Sequence, residues 1–121
     1  SIPNGSYRIR AATEAYWSHA THPIFVAFFE LSVAARTDKE LRKILRPAQK
    51  SFDEEWYKTA QEVFPEWQSD KEAFDLALAL VQHLMEGIAI STMTHQRRTD
   101  HTQLKKYLEA QLRELAPAEI R

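Results

Sequence analysis

Apolar residues recur at three- and four-residue intervals along almost the whole chain, the spacing of helix faces and not of strands. Over residues 7–20, Ile9, Ala12, Thr13, Tyr16 and Ala20 share one face and Trp17 sits just beside it. Pro23 suits the first turn of a second helix, where its missing N–H costs nothing, with Thr21 or His22 as N-cap and an end near Arg36. Residues 24–35 are apolar nearly all round, which predicts a helix in the middle of the domain, covered on every side.

Thr37 or Asp38 can cap a third helix ending at Pro65. Along it Leu41, Ile44, Leu45, Ala48, Phe52, Trp56, Thr59, Ala60 and Val63 keep one stripe, opposite Arg42, Lys43, Lys50, Asp53 and Lys58. Pro47 removes a backbone donor midway, so a kink or a split is expected there, although the stripe keeps its phase. Ser69 followed by Glu72 has the form of a capping box, which places the start of a fourth helix at Ser69 and its end near residue 94. That helix carries two apolar faces: Phe74, Ala77, Leu78, Val81, Met85 and Ile88 on one, and Ala73, Leu76, Leu80, Leu84 and Gly87 on the other. Only a narrow stripe with Asp75, Gln82 and Glu86 is polar. After a polar stretch over residues 94–100, a last helix over 101–115 shows a seam of Leu104, Leu108, Gln111, Leu112 and Leu115, and Pro117 stops it.

Five such segments in 121 residues predict an all-α fold, a single helical bundle of about five helices spanning the whole chain. Two glycines and five prolines are few turn-formers, consistent with long helices and short loops. With no cysteine there is neither a disulfide framework nor a thiolate metal site nor a thiol nucleophile. Sixteen Lys and Arg against 17 Asp and Glu give a net charge of −1, so the chain lacks the basic footprint that duplex DNA demands. No run of about 20 uninterrupted apolar residues and no signal-peptide pattern occurs, and the expected location is cytoplasmic, without a membrane partner.

Candidate chemistry is sparse. Gly5 and Gly87 are the only glycines, so no phosphate-cradling loop exists, and no Ser, His and acid set has the context of a nucleophile. No Glu stands three residues before any of the five His, which leaves His83 with Glu86 as a weak metal pair; neither a metal nor a cofactor is expected, and the chain reads as non-enzymatic. Glu30, set among Phe28, Phe29 and Leu31, calls for a partner such as Arg8, Arg10 or Arg36 if it is buried. Arg97 and Arg98 with His95 and His101 form a small basic patch that capping of helix carbonyls is enough to explain. Trp17, Phe25, Phe28, Phe29, Phe52, Trp56 and Met85 fall on helices expected to face one another and are the candidate ligand-binding set, with ordinary core packing the competing role for each. The second face of the fourth helix and the seam of the last predict a four-helix interface between two copies, formed by Leu76, Leu80, Leu84, Gly87, Leu104, Leu108 and Leu112, with Gly87, Ala89 and Ser91 allowing close approach.

The run Phe29-Glu30-Leu31-Ser32-Val33-Ala34-Ala35-Arg36-Thr37-Asp38-Lys39-Glu40-Leu41-Arg42 resembles a signature of TetR-family C-terminal domains. Residues 80–89, a Leu-rich stretch ending in Gly87 and small apolar residues, resemble that family's late helix, and together the likeness covers about residues 7–115. It implies a transcriptional repressor's regulatory domain, one that homodimerises and binds a small, mostly apolar effector between its helices. Effector binding would then respace DNA-binding heads and lower operator affinity. The family's helix-turn-helix has no counterpart in this sequence, so contact with DNA is expected only through a missing N-terminal domain. The competing reading is a helical module that binds another protein through its apolar faces and has a solid interior.

Overall fold

The computed structural model describes residues 5–92 and 101–120. Among these it contains five α-helices and no strand: α1 Gly5–Ala20, α2 Pro23–Ala34, α3 Lys39–Val63, α4 Lys71–Ser91 and α5 His101–Leu115, with short 3-10 turns at Pro65–Ser69 and Ala118–Ile120. The all-helical bundle read from the sequence is the observed fold. The stretch 94–100, with His95, Arg97 and Arg98, lies outside the described residues.

α2, α3 and α4 each begin where a side chain accepts from an orphan amide of the first turn. His22 accepts from the Ile24 amide through Nδ1 at 3.2 Å, with Pro23 at the first position of α2. Asp38 accepts from the Leu41 amide at 3.1 Å and starts α3. The start of α4 falls one residue later than the capping-box pattern predicts: Asp70, not Ser69, is the cap, accepting from the Ala73 amide at 3.1 Å. Ser69 is already used in the preceding 3-10 turn, where its hydroxyl donates to the Glu66 carbonyl.

α1, α4 and α5 pack against one another in pairs and enclose the core. Ile9, Tyr16 and Ala20 from α1 meet Phe74, Ala77, Val81 and Met85 from α4 and Leu108 and Leu112 from α5. Phe74, Met85 and Leu108 are almost wholly removed from water, and burial of a side chain of this size contributes roughly 1.5–3 kcal/mol. The 3-10 turns supply two further core residues that the helical periodicity does not mark, Trp67 and Ile120. α3 lies outside this triad, joined to α2 and to the Pro65–Ser69 turn, and reaches α4 through Tyr57, whose ring meets Phe74 edge-on and whose hydroxyl donates to Asp75 at 2.7 Å.

Several expectations are corrected by the packing. α2 is not central: only Phe25 on it is buried, while Ile24, Leu31 and Val33 are exposed at 75%, 46% and 60%. Twelve residues packed mainly on α3 and α1 leave one flank without a neighbour. Of the kink or split expected at Pro47, the split does not occur: α3 runs unbroken over 25 residues with the ring on its exposed side. Glu30 is exposed and so carries no burial cost; Arg8 pairs instead with Glu66 at 3.0 Å and Arg10 with the buried Glu109 at 3.5 Å. Leu108 and Leu112, assigned from sequence to an interface between copies, are spent inside the chain against α1 and α4. Their seam cannot cover a second copy because the triad's own core already covers it. α4 is long and apolar enough, by length and composition, to cross a membrane, but Phe74, Ala77, Val81, Met85, Ile88 and Ala89 on it are buried within the bundle.

Candidate functional site

α1 and α3 touch through Arg8 and the Val63 carbonyl, Tyr16 and Trp56, and His19 and Phe52, and small side chains between these contacts leave a space. Ala11, Ala12 and Ala15 on α1 face Thr59, Ala60 and Val63 on α3 across a cavity of about 470 Å³. Its floor is Phe74, Ala77, Leu78 and Val81 of α4 with Leu112 of α5, and Phe64 and Trp67 line it too. The Trp67 indole N–H is buried and has no acceptor among the described residues.

A second cavity, of about 770 Å³, opens where the end of α1, α2, the first half of α3 and α4 come together. Phe25, Phe28, Phe29 and Phe52 provide its rings, and His19, His22, Ser32, Gln49, Asp53, Gln82 and Glu86 its polar groups. No lysine or arginine lines it. The rings brace one another: Phe25 meets Phe29 edge-on at 4.5 Å and sits 4.2 Å from the His19 ring.

His19 and Phe52 line both cavities and form the wall between them. Their rings are stacked, 4.7 Å apart and 7° from parallel. Burial holds the His19 imidazole below its usual pKa, partly opposed by the charge of Glu86 and reinforced by His22. Its Nε2 is buried with no hydrogen-bond partner among the described residues. Below it Tyr16, in contact with Trp56 at 4.9 Å, donates its hydroxyl to Glu86 at 2.7 Å. Burial first, then that bond and the charges of Glu86 and Asp53, raise the Tyr16 pKa far above the phenol value. Both carboxylates therefore act on the same polar corner.

Of the candidate ligand set, the structure brings Phe25, Phe28, Phe29 and Phe52 together around the larger cavity and puts Phe52 and Trp56 on the smaller one. Trp17 and Met85 line neither. Trp17 faces the other way, with the Lys105 ammonium 5.1 Å from its ring and His101 5.6 Å away, and Met85 is sealed in the core. The polar half of the site, His19, Asp53, Gln82 and Glu86, was absent from that set. Its signal was present in part, since Gln82 and Glu86 are the polar stripe of an otherwise apolar helix.

The outer face of α4 is partly covered, with Leu80 and Leu84 packed against the chain's own core. Leu76 is 58% exposed, Gly87 is exposed, and Leu80 and Leu84 are half-buried. Leu104 of α5 is half-buried, with the exposed Tyr107 three residues further along the helix. Among the described residues no three His, Asp or Glu side chains gather into a metal cluster. No family model matches this chain, and neither a curated protein nor a solved structure matches it.

Proposed function

We propose that this chain is the regulatory domain of a TetR-like transcriptional repressor, a non-enzymatic module that binds a small, mostly apolar effector and homodimerises. The observation that supports it best is the pair of adjoining cavities meeting at the His19–Phe52 wall. Their volumes, about 470 and 770 Å³, fall within the roughly 300–1,000 Å³ usual for small-molecule sites. The rings orient a ligand by shape, and the few polar groups at one corner give it direction. An effector seated there touches α1, α2, α3 and α4 at once, so its binding energy can shift those helices against one another, which is what a relay to a DNA-binding domain beyond this chain requires. The second copy would cover Leu76, Leu80, Leu84 and Gly87.

Titration with the environment-sensitive dye N-phenyl-1-naphthylamine tests the reading. The wild-type chain should bind it with a blue-shifted emission, and Ala48→Trp, which places an indole in the mouth of the larger cavity, should weaken binding while the helical circular dichroism stays unchanged. Absence of dye binding to the wild type would refute it. A protein-interaction module is the second reading, favoured by the exposed Ile24, Leu31 and Val33 of α2.

A further inference from the structure

The larger cavity carries an imbalance of charge that narrows the chemistry of what fits it. Several of its wall donors are already engaged within the protein. Ser32 gives its hydroxyl proton to the Phe28 carbonyl at 2.9 Å, Gln49 donates to Ser32 at 3.2 Å, and Gln82 and Tyr16 both donate to Oε1 of Glu86, at 3.4 and 2.7 Å. Carboxylate oxygens are left over. The exposed Asp53 makes no hydrogen bond or ion pair with any described residue, and Oε2 of Glu86 accepts from no described residue. Two carboxylates with no cation in the wall make a negative corner, and four phenylalanine rings surround it. Ring faces carry negative charge density, so they attract a cation that carboxylates also attract.

We infer that the larger cavity is a site for an aromatic or otherwise lipophilic organic cation, held between the rings of Phe25, Phe28, Phe29 and Phe52 and neutralised by Asp53 and Glu86. This rests on the proposed ligand-sensing function and names the ligand class of that site. A permanent or protonated nitrogen near the two carboxylates pairs with oxygens to which no described residue donates, and its apolar body replaces water along the rings. An anion of the same shape meets the like charge of the two carboxylates. His19 held neutral keeps the wall free of positive charge that would compete with the ligand.

Tetraphenylphosphonium and tetraphenylborate, near-equal in size and shape and opposite in charge, separate these cases, with N-phenyl-1-naphthylamine as the neutral control. By calorimetric titration the cation should bind at least about tenfold more tightly than the anion, and Asp53→Asn and Glu86→Gln should each weaken the cation about tenfold and the neutral dye by far less. Dye binding together with equal affinity for the two ions, or with variants that leave the cation's affinity intact, overturns the cation assignment and leaves the cavity reading standing. If neither the dye nor either ion binds, both fall.

Discussion

The His19 and Phe52 rings stack at 4.7 Å and so form one wall shared by two cavities, joining α1 to α3. The stack sets a pH dependence whose sign follows from burial. The folded-state pKa of His19 lies below the unfolded value of about 6.5, so between the two the unfolded chain binds more protons. Stability is therefore complete above about pH 6.5 and is lost as pH falls through the lowered folded value. Urea unfolding at pH 7.5 and 5.0 should show this loss in wild type and a smaller loss in His19→Phe; an unchanged slope in the variant would contradict the assignment.

Tyr16 works in the opposite pH direction. Its raised pKa means stability that is present below the unfolded phenol value of about 10 and is lost as pH rises towards the folded value. Tyr16→Phe removes the bond to Glu86 and should cost roughly 1 kcal/mol at neutral pH. The same variant should flatten the alkaline loss measured above pH 10, and an identical alkaline profile in both proteins would count against the Tyr16–Glu86 pair.

The two glycines should respond to alanine in opposite ways. A Cβ at Gly5 would run into the Ile120 backbone, so Gly5→Ala should undock the C-terminal 3-10 turn or strain α1, at a cost of about 1–3 kcal/mol. A Cβ at Gly87 meets nothing within 4 Å, and as an exposed helix position Gly87→Ala should raise the stability of the monomer by roughly 0.5–1 kcal/mol. If two copies pair closely at α4, the same change should also weaken the dimer in sedimentation equilibrium, whereas unaltered association would place the interface elsewhere.

Pro47 occupies the interior of α3 with its ring exposed and no side-chain packing to lose. Pro47→Ala restores a backbone donor to the Lys43 carbonyl and should stabilise the chain by about 1–3 kcal/mol in thermal unfolding. A destabilised variant would mean that the proline sets a bend on which the cavity depends.

The helices were legible in the sequence because burial imposes a period on them: the α5 limits, His22 as one of two possible caps and Asp38 as another all follow from local chemistry. Asp70 was missed in favour of Ser69, one residue away, because both are good caps and only the intervening 3-10 turn decides between them. The interior was harder. A leucine seam such as Leu104, Leu108 and Leu112 reads the same whether it faces its own chain or another, and an apolar helix such as α2 reads as central even when too few neighbours exist to cover it. For the site, the phenylalanines were visible as an aromatic set, but the polar corner was not, because His19, Asp53 and Glu86 come together from three helices with no local pattern linking them.

The cavities around the His19–Phe52 wall are the centre of this account, and an amide-detected two-dimensional NMR titration with N-phenyl-1-naphthylamine tests them most directly. The account predicts that the shifts concentrate at residues 19, 25, 28, 52 and 82 and at their cavity neighbours. Shifts confined to the outer face of α4 around Leu76 and Leu84, or none at all, would contradict it.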